Sequence, residues 1–431
     1  MSKIKPDLPA TLGPASIYAM RNTPPLLALF WDESHLWGIL LIRALEAMQL
    51  PVTLLKAEHI AAGTLADLKP EILLVPGGWA RLKSLALGEA GREAIRTFVH
   101  GGGHYLGFCG GAGLALASET RTPFLDLCSW SRKPASKRLP NFSGHLQCLV
   151  RENGHSHCAE LPVWWPSQFE ATAHEELEIL ATYQRPGHDF WSADLDWSGI
   201  QEKEIPQWEE LYGINLNPER LRDEPCVVRG KLGRGSFTLS YAHLETPDSP
   251  QANALLGRLM GLDDPAPVSP WELDSEAPCW QNATLQQIQK DIRQLIRFGQ
   301  YHFLLFWRTP WLLGWRRGVP GSPLLFLLAM TWQARHMRPT EQAACYWDKH
   351  EALCRERCHE FCARTREYLL MERRIMATSP SSPEGSASPS LQRRKLELFG
   401  KFPGYGGLYG EILGILDELL WLQLSASRSE K

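Results

Sequence analysis

The run GHYLGFCGGAGLA at residues 103–115 restricts what this chain can fold into more than any other stretch. A short apolar strand, Tyr105–Phe108, leads straight into Cys109. Glycines at 107, 110 and 111 crowd around the cysteine, and a helix-forming stretch, Ala112–Ser118, follows at once. Strand, tight turn and helix in that order make a nucleophile elbow, where a strained turn lifts one side chain above a sheet and neighbouring Cβ atoms would clash. The first N–H groups of such a helix can face an anion, and a helix N-terminus lowers a thiol pKa. The competing reading is a small buried residue, the usual fate of a free cysteine.

The surrounding pattern extends that local unit into a sheet. After a flexible leader at 1–23, Leu26–Trp31 reads as a buried strand, Leu36–Met48 as a helix and Val52–Lys56 as a strand. Ile72–Val75 is a further strand, ending in Pro76-Gly77-Gly78. Short continuous apolar strands separated by helices imply a parallel sheet covered on both faces. Ligands bind such sheets beyond the carboxyl ends of the strands, where Asp32, Gly77 and Cys109 all fall. Strand signals then thicken at 145–150, 162–169, 177–183, 226–231 and 236–241. The last two flank Leu232-Gly233-Arg234-Gly235, a hairpin turn. The expected fold is therefore α/β, a three-layer, doubly wound, mostly parallel sheet of flavodoxin-like type over 24–262, followed by an all-α region.

A Pro-rich linker at 263–283 leads into helical sequence at 284–377, where Leu285, Ile288, Ile292, Leu295 and Ile296 mark one face. Residues 378–390 (TSPSSPEGSASPS, from Thr378) are compositionally disordered, and 391–431 ends in an apolar helix at Leu408–Leu424. That helix is expected to dock on the tail region or on a second copy of it, which leaves room for a protein partner or self-association. The segment 303–330 is apolar but broken by Arg308, Arg316, Arg317 and three prolines, so no transmembrane span is expected. Trp307, Trp311 and Trp315 read as one helical face, for packing or for a membrane interface.

A net charge of −3 argues against a nucleic-acid partner. The N-terminus carries two lysines with no apolar segment after them, so no secretory signal is expected. Ten cysteines without such a signal read as reduced thiols in a cytoplasm. Neither a metal nor an organic cofactor is expected. Cys354, Cys358 and Cys362, with His350 and His359 nearby, form a thiol stripe open to metal binding or to plain helix packing. His155, His157 and Cys158 have ligand chemistry but no evident fourth ligand.

A cysteine nucleophile needs a base and a group that orients the base. His243, in SFTLSYAHLETP, follows a strand directly, and Glu245 stands two residues on. A His-x-Glu at a strand end lets the carboxylate fold back onto the imidazole, so Cys109, His243 and Glu245 form a Cys–His–Glu triad on paper. The other reading of His243 is a strand-end cap. Asp32, Glu33 and Ser34 either contact a substrate or cap the next helix.

The order of elements, the Pro-Gly-Gly after a strand, the Gly-x-Cys-x-Gly turn and the late His-x-Glu together resemble the class I glutamine amidotransferase-like superfamily. The texture from Gly101 to Ala112 is similar to the amidotransferase-like N-terminal region of biotin–protein ligases and its stand-alone bacterial relatives. Over roughly 24–262 the resemblance implies Cys109 as nucleophile, His243 as base and Glu245 as orienting acid. It also implies an oxyanion hole from backbone N–H groups around Gly77, Gly78 and Gly110. Gly113 stands where glutamine-hydrolysing members carry glutamine, and although Gly230–Ser236 superficially resembles a ligase's Gly-Arg-rich loop, no biotin-ligation machinery follows. The expectation is a cysteine-dependent amidase or amidotransferase-like hydrolase acting on a small molecule. Its rival is a catalytically inactive ligand-binding or regulatory module on the same scaffold.

Overall fold

Along β1 (Leu27–Phe30) all four side chains are buried. Leu27 and Leu29 enter one apolar cluster while Ala28 and Phe30 enter another, so both faces of the strand are covered. In this computed structural model, residues 25–118, 122–173, 175–275, 277–378, 388–401 and 405–426 are described. The expected leader at 1–23 and most of the expected disordered segment (379–387) lie outside the described residues.

The first part of the chain runs through β1, α1 (His35–Ala47), β2 (Val52–Leu55), α2 (Ala57–Ala61), α3 (Thr64–Leu68), β3 (Ile72–Val75), α4 (Ala80–His100), β4 (His104–Phe108) and α5 (Gly110–Ala115). It continues through β5 (Ser131–Arg132), β6 (Phe142–Glu152), β7 (His155–Trp164), β8 (Phe169–Glu170), β9 (Glu178–Pro186), β10 (Trp191–Ser192), β11 (Leu195–Asp196), α6 (Ile205–Tyr212), β12 (Pro225–Leu232), β13 (Gly235–Ser240) and α7 (Pro250–Leu259). The sheet order is β11-β10-β6-β9-β12-β13-β4-β3-β1-β2, with β7 also on β6. From β2 to β13 the neighbours are parallel. Beyond β13 every pairing is antiparallel. The result is a mixed α/β domain whose central strands are parallel. α1 contributes to the first apolar cluster, and α4 and α5 to the second.

Among the described residues, the elements that follow are helices and one hairpin: α8 (Ala283–Tyr301), β14 (Leu305–Trp307), β15 (Leu313–Trp315), α9 (Gly321–His336), α10 (Glu341–Thr378), α11 (Pro389–Phe399) and α12 (Gly407–Ala426). The tryptophans at 307, 311 and 315 thus lie on and between two antiparallel strands, not on a helix face. Pro310 breaks the helical period they suggested. Trp311 packs against Trp164 and Trp271, and Trp315 stacks on Trp165 at 4.7 Å, which ties the hairpin to the α/β domain.

α9 is buried on nearly all sides and packs on α1, α8 and α12. In α12, Ile412, Leu416, Leu419 and Leu420 are fully buried against the same chain. Each such side chain contributes about 1.5–3 kcal/mol by leaving water, so the helical region shares a core with the sheet rather than hanging from it. No helix among the described residues is long and apolar enough to cross a membrane.

Candidate active site

Register builds the site. Ser240 at the end of β13 pairs with Phe108 at the end of β4, and Gly107 pairs with Val75. The residues just beyond three strands, Gly77-Gly78, Cys109 and the 241–245 turn, therefore come together. The Cys109 N–H donates to the Ser240 carbonyl at 2.7 Å, and the Gly113 N–H donates to the Cys109 carbonyl at 2.9 Å. Between these two bonds Cys109 adopts φ +46°, ψ −102°, a region a side-chain-bearing residue occupies only when its surroundings enforce it. The side chain is half-buried. Close packing explains the neighbouring glycines. Gly78 has φ +116° and a Cβ there would collide with the Glu33 carbonyl, while a Cβ on Gly110 would collide with the Gly78 carbonyl.

His243 and Glu245 are both 0% exposed. The His243 N–H donates to the Pro162 carbonyl at 2.8 Å, and the Thr246 hydroxyl donates back to the His243 carbonyl at 2.7 Å, fixing the turn. The imidazole Nδ1 donates to Glu245 Oε1 at 2.8 Å. Trp37 of α1 packs over the ring at 4.5 Å. Among the described residues Nε2 makes no closed hydrogen bond, yet the Cys109 side chain is close enough to act on the ring as a hydrogen-bonding and electrostatic partner. Burial opposes a charge here, but the Glu245 carboxylate and the Cys109 sulfur outweigh it and hold His243 up to about 10. The structure thus brings Cys109, His243, Glu245, Gly77, Gly78 and Gly110 to one place.

Asp32, Glu33 and Ser34 form the adjoining wall. Ser34 makes no side-chain cap for α1; its hydroxyl donates to the Phe30 carbonyl at 3.0 Å and accepts from Lys83 Nζ at 2.7 Å. Asp32 Oδ2 accepts the Ala57 N–H at the start of α2, and the Asp32 carbonyl accepts Lys83 Nζ at 2.9 Å. Glu33, at φ +58°, is half-buried. Burial raises its carboxyl above the usual range, opposed by Lys83 and reinforced by Asp32. Lys83 itself is 0% exposed, and burial pulls it down to about 7 although Glu33, Asp32 and Asp417 favour its charge.

The helical region roofs this corner, which the sequence did not announce. Phe326 of α9 meets Trp37 edge-on at 6.2 Å. Tyr405 meets His35 at 5.2 Å, and its phenol is in electrostatic reach of Glu33 and Cys109. On α12, Glu418 pairs with Lys56 at 2.5 Å. Asp417 is pushed up to about 8 by burial and by Asp32 and Glu33, against Lys56 and Trp31.

The other candidates lie elsewhere. Cys354 and Cys358 are buried on α10 with Cys362 beside them; burial pushes Cys354 up to about 12, and a hydrogen bond with Cys362 followed by burial raises Cys358. His155, His157 and Cys158 are exposed on β7, with His157 3.9 Å from Glu152. Among the described residues, no group of three or more His, Cys, Asp or Glu side chains is placed to hold a metal ion.

No protein-family profile and no curated protein sequence matches the chain. Solved structures do, distantly. PurLQS from Thermotoga maritima is 12% identical over 55% of this chain and 98% of its own, with a TM-score of 0.37. A GMP synthase protein from Thermoplasma acidophilum is 11% identical over 56% of this chain and 94% of its own, with a TM-score of 0.35. Both are class I glutamine amidotransferase-type folds. A β-galactosidase from Rahnella sp. R3 matches at 14% identity and TM-score 0.32, over 56% of this chain and 32% of that enzyme. None of the three assigns a role to a residue here.

Proposed function

We propose that this chain is a cysteine-dependent amidase or amidotransferase-like hydrolase in which Cys109, His243 and Glu245 act as a triad. One observation carries the reading: a fully buried imidazole holds Glu245 through Nδ1 and, among the described residues, leaves Nε2 without a closed bond beside the only half-buried group of the trio, Cys109. Catalytic hydrogen bonds are often loose without substrate. In the proposed reaction the Cys109 proton already resides on Nε2, and the thiolate so formed attacks an amide carbonyl, forming a C–S bond as the carbonyl π electrons move to oxygen. Backbone N–H groups around Gly77, Gly78 and Gly110 face that oxyanion. Collapse breaks the C–N bond as His243 returns the proton to the leaving amine, and water or an amine then releases the acyl group. A histidine that keeps its proton to about pH 10 suits the donating step well.

The same reading takes the α/β part, roughly 24–262, as a three-layer doubly wound unit of the amidotransferase-like type, linked through 263–283 to the helical region. Ten free cysteines suit a reducing compartment such as the cytoplasm.

The test is peptide-resolved alkylation of Cys109 by iodoacetamide in wild type, His243→Ala and His243→Gln. Near pH 6.5, loss of the base is expected to slow Cys109 alkylation about tenfold or more. An unchanged rate in both variants, or a Cys109 inert throughout, removes the enzyme reading and leaves a binding module on the same scaffold.

A further inference from the structure

A second cleft, sharing no residue with the cysteine site, opens in the helical region. Its volume is about 480 Å³, within the roughly 300–1,000 Å³ usual for small-molecule pockets. Lys290, Arg293 and Arg297 line it from one side of α8, at the three-to-four-residue spacing that puts side chains on one helix face. Arg335, near the end of α9, lines it as well, as do Ser275, Pro278 and Gln281 of the segment before α8.

Among the described residues, the three α8 cations meet little opposing charge. Asp274 lies 3.3 Å from Arg293, but its own side chain is 86% exposed, where water screens an ion pair and leaves it weak. Arg293 also donates to the Leu273 carbonyl, and its Nε is buried with no hydrogen-bond partner among the described residues. Arg335 donates to Gln289, itself 2% exposed. Both guanidinium groups are therefore held in place before any ligand arrives, and Lys290 and Arg297 are exposed at the rim. Glutamine amides at 281, 286 and 294 complete a lining that can both donate and accept. Clustered like charge repels itself until an anion enters, and a cleft focuses that field. Guanidinium forks match the paired oxygens of phosphate and carboxylate.

We infer that this cleft binds a small multivalent anion, one carrying two or more phosphate or carboxylate groups. A single charge would satisfy one wall only; a multivalent one spans from the α8 cations to Arg335. Such a ligand ties the segment before α8 to α8 and α9.

The test is calorimetric titration of the full chain with pyrophosphate and, separately, citrate, at ionic strength held constant with sodium chloride. Saturable binding by either probe is expected, and which one binds tells phosphate from carboxylate chemistry. The exposed pair Lys290→Glu and Arg297→Glu should together weaken binding at least about tenfold, while Arg373→Glu with Arg374→Glu, exposed on α10, should not. Cys109→Ser should bind like wild type, which separates this site from the proposed chemistry. Glu276, outside the described residues, neighbours the cleft in sequence, so Glu276→Gln should bind no more weakly than wild type. The inference is overturned by no saturable heat with either probe, or by binding that the α8 pair leaves intact or the α10 pair abolishes equally.

Discussion

At the scale of single residues, the backbone packs tightly at the glycines flanking Cys109. Gly110→Ala pushes a methyl group into the Gly78 carbonyl, and either the turn shifts or strain is stored. We expect a cost of about 1–3 kcal/mol, read as a lower urea midpoint, together with slower Cys109 alkylation because the turn that presents the sulfur has moved. A midpoint within error of wild type would mean that the glycine is not required by packing. The charge on His243 gives a second prediction. Its folded value of about 10 lies above the ordinary 6.5 or so, so the folded state holds more protons between those values. The stability this contributes is full below about pH 6.5 and is lost as pH rises through about 10. Glu245→Gln removes the main opposing charge and leaves burial to dominate, so the imidazole should titrate below about 6.5. Imidazole resonances followed from about pH 5 to pH 10.5 check this, and a variant that still titrates near 10 would show that Glu245 does not hold the proton.

At the scale of elements, the parallel strands were legible because each is short, continuously apolar and closed by a turn signal. Ile72–Val75 appears with the bounds read from sequence, and β1, β2 and β4 differ by a residue or two at their ends. The helix after Cys109 begins earlier than Ala112, at Gly110. Its glycines read as turn residues, whereas their role is to let the helix lie against the Gly78 and Val75 backbones. The tryptophan spacing misled in the opposite direction, since a period of four can also fall across a hairpin. α9 gave no periodic signal because it is buried all round, and periodicity marks only a helix with one wet face. Lys83 was silent too: a lysine on a helix reads as solvated, and only the fold shows its amine held by the Asp32 carbonyl and Ser34. Its folded value of about 7 lies below the ordinary value near 10.4. The unfolded chain therefore binds the extra proton across that window, and stability rises with pH there. Lys83→Met abolishes this term, so the variant should compare most favourably with wild type near pH 6.5 and lose ground steadily towards pH 10. Urea midpoints at the two pH values decide it; a difference that does not change with pH would place Lys83 in a less hostile setting than its burial implies.

At the scale of the whole molecule, the meeting of Cys109, His243 and Glu245 was readable because all three sit at strand ends of one domain, but the roof over them was not. Asp417 meets Asp32 and Glu33 across nearly the whole chain, and no local pattern encodes such a meeting. The helix that carries Asp417 is held by apolar burial and by the Lys56–Glu418 pair, while Asp417 itself faces two carboxylates, with Lys56 and Lys83 as the nearby cations. Tyr346 and Tyr409 also lie in its field. With a folded value of about 8 against an ordinary value near 3.9, Asp417 docks in its protonated form. The stability linked to that proton is present at low pH and is lost as pH rises through about 8. Above that point three carboxylates share one buried corner, and the least costly relief is for α12 to loosen from the α/β domain. Hydrogen-exchange protection factors for 407–426 should therefore fall between about pH 6.5 and pH 9, while those of α10 hold. Asp417→Asn keeps the shape without the charge and should keep α12 protected at the higher pH. Because Tyr405 precedes α12 and its phenol lies in the field of Cys109, loosening in wild type should also speed alkylation of Cys109 beyond the ordinary effect of pH, and the asparagine variant should lack that excess. Equal loss of protection in both proteins would show that some group other than Asp417 holds the roof.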